Sequence, residues 1–186
     1  PCHPERSEGS VKPISKPIMK YMTAAQAVQL IESGDSIYIQ GSTSVPEVLS
    51  QALADRGHEL KDVTVYAAFA VGRCDAPYCK PEYKDAFNIK SLFVANNVRR
   101  WLAEGYGSTI PAFLGEIPAL FRDGTLPLDA VFLNVSPPNE EGYCSYGISA
   151  DLAVSATECA RKIIVQVNKA MPFSYGDALI HVSKID

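Results

Sequence analysis

The stretch VTVYAAFA, residues 63–70, decides the fold. Nearly every side chain in it is apolar, so it does not alternate between a wet face and a dry one. A strand of this kind is buried on both faces, as in a parallel sheet covered by helices on each side. DAVFLNV at 129–135 and IIVQV at 163–167 have the same character, and SIYIQ at 36–40 and the run from Ile89 to Ala95 read as companion strands. Between them the period changes to that of a helix. Ala24, Ala27, Val28 and Ile31 recur at helical spacing in a helix from Thr23 to Ser33, N-capped by Thr23 and ended by Gly34. A second helix follows Pro46, with Val48, Leu49, Ala52 and Leu53 on one side. A third runs from Ser149 to Ala160, with Leu152, Ala153, Ala156 and Ala160 turned inward. Strands alternating with helices place the chain in the α/β class, with a mostly parallel sheet flanked by helices. Ligands in such sheets sit at the carboxyl ends of the strands. The loops beginning at Gly41, Asn96, Ser136 and Asn168 are therefore expected on one rim.

The chain has 186 residues, of which 47% are apolar and 20% charged, enough for one well-filled core. Its 17 basic and 21 acidic residues give a net charge of −4, with no basic stripe to suggest nucleic acid. No apolar run approaches the ~18 residues that would cross a bilayer, and no partner membrane is expected. The five cysteines (Cys2, Cys74, Cys79, Cys144 and Cys159) are odd in number and scattered. They read as reduced structural thiols, with neither a disulfide framework nor a metal site expected. Reduced thiols and the lack of an apolar leader at the N-terminus point to the cytoplasm. Residues 1–20, punctuated by Pro1, Pro4, Pro13 and Pro17, read as a disordered tail ahead of one α/β domain at 21–186. The chain stops just after an apolar stretch, Ala178 to Val182, which suggests a piece of a longer protein.

Three segments stand out as candidates for chemistry. Gly41-Ser42-Thr43-Ser44 joins a strand to a helix, where backbone amides and hydroxyls can hold an anion. It matches neither the dinucleotide fingerprint nor a P-loop, and a plain tight turn is the alternative. SPPNEEGYCSYG at 136–147 is a stiff loop after a buried strand, suited to a binding wall or to a structural crossover. Its Ser145 lies in G-x-x-S-x-G, one residue off the spacing of a nucleophile elbow, and neither His58 nor His181 offers it a base. Asn168-Lys169-Ala170-Met171-Pro172 follows the last strand and should border the same rim. Glu140, Glu141 and Glu158 read as solvated carboxylates, Glu116 as complementing a helix N-terminus, and Arg99-Arg100-Trp101 as a wet helix face around a buried indole.

Taken together, SPPNEEGYCSYGIS, VNKAMPFSYGDALIHVSKID and the earlier GSTSVPEVLSQAL resemble the acetyl-CoA hydrolase/transferase family, which includes 4-hydroxybutyrate and butyryl/acetate CoA-transferases. The similarity runs from about Met22 to Asp186 and covers the N-terminal domain of a two-domain enzyme. Asn139 departs from the pattern, which commonly has Asp there. The resemblance implies a NagB/RpiA/CoA-transferase-like fold. It also implies transfer of coenzyme A between an acyl thioester and a small carboxylate, through a nucleophilic glutamate in a C-terminal domain. No catalytic residue is then carried by this chain. Gly41, Ser42, Thr43, Ser136, Pro137, Pro138, Asn139 and Asn168 are expected to form one wall of the cleft, with acyl-CoA as the only cofactor and a homo-oligomer as the assembly. A non-catalytic binding module and a sugar-phosphate isomerase of related fold are the alternatives.

Overall fold

The computed structural model describes residues 21–71 and 76–186. The expected tail at 1–20 lies outside the described residues, as do Cys2 and Cys74. The strands of the main sheet are β1 (Ser36–Ile39), β2 (Val63–Ala67), β3 (Phe87–Ser91), β4 (Ser108–Thr109), β5 (Ala130–Val135) and β7 (Lys162–Val167). A short hairpin pairs β6 (Tyr143–Ser145) with β8 (Leu179–His181) antiparallel. The helices are α1 (Ala24–Ala27), α2 (Glu47–Asp55), α3 (Asn96–Ala103), α4 (Ile117–Arg122) and α5 (Asp151–Cys159).

The main sheet is parallel throughout, in the order β4-β3-β2-β1-β5-β7. Its apolar strands send alternate residues to opposite sides, as the period of two requires. Ile37, Ile39, Val63, Val65, Phe87, Ile89 and Phe132 pack with residues of α1, α2 and α3. Tyr38, Tyr66, Val131, Leu133 and Val135 pack with residues of α4 and α5. Three layers result, with the middle one dry on both faces.

Several expected boundaries move. The first helix is α-helical only over Ala24–Ala27 and tightens to a 3₁₀ turn at Val28–Leu30. Thr23 does cap it, through a reciprocal capping box with Gln26. The helix ends early because the Arg56 guanidinium binds the carbonyls of Val28 and Ile31 and Ile31 turns extended. Val48 lies outward rather than in the core, while Ser50 and Ala54 lie inward with Leu49 and Leu53. The expected strand from Ile89 to Ala95 shifts to Phe87–Ser91, because Phe87 pairs with Val63 and fills the core. Leu92 to Ala95 form the turn, and Asn96 opens α3 instead of a loop. The strand expected at 63–70 leaves the sheet after Ala67, and the helix expected from Ser149 begins at Asp151.

Among the described residues no helix is long and apolar enough to cross a membrane.

Candidate functional site

The strand order reverses between β1 and β5. The chain steps outward from β1 through β2 and β3 to β4, then returns across α4 to place β5 on the other side of β1. Such a switch point opens a crevice between the loops that leave the two strands. Those loops are 40–46 and 136–142, which carry seven of the eight residues expected at the site. Asn168 follows β7, the next strand along, on the same rim.

The first loop is set by close packing. A Cβ on Gly41 would lie 2.7 Å from the Phe69 carbonyl and 2.8 Å from the Ala68 Cβ, so only glycine fits. Ser42 has φ +57°, donates its amide to the Phe69 carbonyl at 2.6 Å and accepts the Val71 amide at 2.9 Å. A polar residue in the left-handed region, held from both sides, is local strain maintained by its surroundings. Thr43 is exposed, and its hydroxyl lies 3.4 Å from that of Ser149, just ahead of α5.

Gln40 joins the two sides of the crevice. Its side chain is fully buried. Its Oε1 accepts the Asn134 amide at 2.7 Å, and its Nε2 donates to the carbonyls of Ser149 (2.8 Å) and Tyr146 (3.4 Å). The neighbouring Tyr38 phenol is pushed well above its ordinary range by burial, with the Asp151 charge adding to this and the Gly41 amide opposing it.

The second loop is built from serine and asparagine. Ser136 is buried; its hydroxyl donates to the Pro137 carbonyl at 3.0 Å and accepts the Ser145 amide at 2.9 Å. Pro137 is exposed and Pro138 half-buried beside it. Asn139 folds the tip, its Oδ1 accepting the amides of Glu141 (3.1 Å) and Tyr143 (2.8 Å). These bonds need only a side-chain acceptor, which asparagine and aspartate both supply. Asn168 does the same after β7, accepting the Ala170 amide at 2.9 Å.

Ser145 links this loop to the segment after β7. Its hydroxyl donates to the Ser174 carbonyl at 3.0 Å and accepts the amides of Ser174 (2.9 Å) and Gly147 (3.0 Å). The Ser174 hydroxyl returns a bond to the Gly147 carbonyl at 2.9 Å. Gly147, at φ +69°, lies against Met171 so closely that a Cβ would overlap its sulfur. A serine hydroxyl committed in this way is structural, which agrees with the off-by-one spacing around it. Burial raises the nearby Cys144 thiol to about 11, an inert thiol rather than a nucleophile.

Two of the glutamates weighed in the sequence, Glu116 and Glu158, stand elsewhere. Glu158 pairs with Arg122 at 2.9 Å on the surface, and Glu116 accepts the Phe113 amide at 3.1 Å ahead of α4. Arg100 lies over the Trp101 ring and bonds Glu104 at 3.0 Å. Among the described residues no three His, Cys, Asp or Glu side chains gather as a metal site. A groove of about 660 Å³ runs along the β7 edge against α1 and α2 and reaches the rim at Pro137 and Lys169.

Gln40, Asn134, Ser145 and Gln166 escape the sequence reading as residues that shape the site. The Gln166 side chain accepts the Val48 amide at 3.0 Å, capping α2, whose own N-cap, Pro46, supplies no side-chain bond. For the two glutamines the signal is present in the pattern, since a glutamine beside or inside an otherwise apolar strand usually bonds something buried.

Known proteins agree with this architecture. A family model described as the acetyl-CoA hydrolase/transferase N-terminal domain matches residues 14–186. The 4-hydroxybutyrate coenzyme A transferase of Clostridium kluyveri is 34% identical over 167 residues, which are 90% of this chain and 38% of that protein. A crystal structure of 4-hydroxybutyrate CoA-transferase from Porphyromonas gingivalis has 34% identity and a TM-score of 0.72, covering 88% of this chain and 37% of that one. RipA from Yersinia pestis has 28% identity and a TM-score of 0.80, covering 89% of this chain and 40% of that one. The chain thus spans about two-fifths of the length of the relatives it matches.

Proposed function

The chain belongs to the acetyl-CoA hydrolase/transferase family as its N-terminal domain, and on that premise we propose that it forms one wall of the active-site cleft of an acyl-CoA:carboxylate CoA-transferase. The observation that carries this is the switch-point crevice, where the Gly41–Ser44 and Ser136–Asn139 loops are joined beneath by Gln40. Neither loop brings a buried carboxylate to the crevice. The nucleophilic glutamate belongs to a C-terminal domain of the complete protein, and the isolated chain is inactive.

In the reaction that glutamate attacks the thioester carbonyl and expels the CoA thiolate, leaving an acyl-glutamyl anhydride. The thiolate then attacks the glutamyl carbonyl, releasing the first carboxylate and forming a glutamyl-CoA thioester. A second carboxylate takes over the CoA by the same two steps in reverse. Covalent catalysis of this kind divides one difficult transfer into easier ones. The role of this chain is to hold the acyl end of the substrate. Gly41, Ser42 and Thr43 border the acyl oxygen, which the Thr43 amide polarises while the Ser42 amide is held by the Phe69 carbonyl; Pro137 and Pro138, held by Ser136 and Asn139, and Asn168 bound the pocket. The assembly is a homo-oligomer working in the cytoplasm.

The test incubates the complete protein with acetyl-CoA and a labelled carboxylate, then traps the glutamyl thioester with borohydride. Transfer of CoA together with a trapped glutamate supports the reading. Enzyme-like turnover by the 186-residue chain alone would overturn the division of labour.

A further inference from the structure

We propose that the outer edge of β7 receives one more strand, formed by the chain beyond Asp186 in the complete protein, which runs parallel to β7 and leads the C-terminal domain to the rim of the crevice. This rests on the function proposed above, in which that domain supplies the nucleophile, and specifies how it is brought to the site.

The two edges of the main sheet are unlike. β4 is only two residues long, both exposed, and a very short strand is one way of blunting an edge. β7 has six residues and no proline, and its one charge, Lys162, is tied to Asp35 at 3.0 Å and to the Leu30 carbonyl at 2.8 Å. In a parallel ladder the amide and carbonyl of one residue point to the same side, and successive residues alternate. The Lys162 amide meets the Asp129 carbonyl and the Asn168 amide that of Val135, so the even-numbered residues face β5. Ile163, Val165 and Val167 therefore turn their amides and carbonyls outward, along the groove that α1 and α2 line with Ala24, Ala27, Val48 and Leu49. Val48 is 58% exposed there, so a strand laid in the groove meets an apolar face.

The first rung of that strand is in place. Ile185 is extended, with φ −96° and ψ 132°, and the Asp186 amide donates to the Ile163 carbonyl at 3.0 Å. The Asp186 carboxylate accepts the Ile163 amide at 2.7 Å. An antiparallel partner would need that amide for its own backbone carbonyl, so the parallel direction is the one left. The next group along the edge, the Val165 amide, then falls to the Asp186 carbonyl. The Val165 carbonyl and the Val167 amide fall to the second residue beyond Asp186. About four residues at ~3.3 Å each bring the chain level with Asn168. The groove reaches the rim at the same level, beside Pro137 and Lys169. The strand thus covers the open edge and sets down the start of the next domain next to the loop that walls the crevice.

The experiment uses the complete protein. Hydrogen exchange resolved to single amides should show Val165 and Val167 exchanging as slowly as Ile164 and Gln166, which are paired with β5. A cysteine pair, Val165→Cys with a second at the first residue beyond Asp186, should close a disulfide within one chain under mild oxidation, because the two positions stand opposite each other in parallel register. Peptide mapping by mass spectrometry identifies the bond against the native thiols. Val165 and Val167 amides that exchange as fast as an unfolded chain would overturn the proposal by leaving the edge bare. A disulfide joining two chains would overturn it by giving the edge to a second copy. CoA transfer from acetyl-CoA is scored separately. Transfer with a bare edge would overturn the strand alone, and a protected edge without transfer would uphold the strand and overturn the function.

Discussion

Replacing Gln40 by leucine should cost the protein about 3 kcal/mol. The side chain is wholly buried, and leucine fills nearly the same space without a polar atom. The change strands the Asn134 amide, which donated at 2.7 Å, and the Ser149 carbonyl, which accepted at 2.8 Å. Each buried group left without a partner costs about 1–3 kcal/mol, and the added apolar burial returns part of the total. For a chain of this size the loss lowers the melting temperature by roughly 6–12 °C. Glutamate at the same position gives a test of sign. It can still accept from the Asn134 amide, but its second oxygen then meets the Ser149 and Tyr146 carbonyls, which repel a carboxylate and accept from a carboxylic acid. Its folded pKa is thereby raised above the ~4.3 of the unfolded chain. The folded state then holds the proton more tightly, so Gln40→Glu approaches wild-type stability below pH ~4 and falls away as the pH rises. Urea titrations followed by circular dichroism at several pH values measure both effects. A Gln40→Leu protein within about 0.5 kcal/mol of wild type, half the smallest cost of one stranded group, or a Gln40→Glu deficit that does not change with pH, would refute the account of the crevice as held by this one amide.

Gly147→Ala should destabilise by about 2–3 kcal/mol in the same assay, since it adds left-handed strain at φ +69° to an overlap with Met171; adding Met171→Ala should recover the steric part and leave the backbone part. Cys144 should resist thiol reagents at pH ~8 in the folded protein and react once it is unfolded. Because its pKa rises to about 11 in the fold, it also contributes a loss of stability between pH ~9 and ~11, up to about 2–3 kcal/mol, which Cys144→Ala should remove from the alkaline limb of the stability profile.

The sheet is legible in the sequence because each long strand is apolar on both sides, a pattern that a strand wetted on one face would not show. VTVYAAFA and DAVFLNV lead directly to a parallel sheet between helical layers, although the first overruns its strand by three residues and β3 begins two residues before its expected start. Local periodicity does not see what stops an element. Arg56 ends the first helix from twenty-five residues away, and Gln166 caps α2 from across the sheet. The strand order is also invisible in the pattern, though it decides where the crevice lies. Once β1 and β5 are neighbours, two loops separated by almost a hundred residues become the two sides of one opening.

Two of the three segments that carry the family resemblance prove to be parts of one fastening. Ser136 holds Ser145, Ser145 holds Ser174, Ser174 holds the Gly147 carbonyl, and Gly147 leaves room for Met171. SPP…GYCSYG and MPFSYG are therefore matched as a lock is to its key, and neither would keep its shape with the other altered. The hydroxyls that look most like catalysts in the linear sequence are the ones the fold has consumed. On the proposed function these loops serve as a wall of fixed shape, with the nucleophile supplied by another domain.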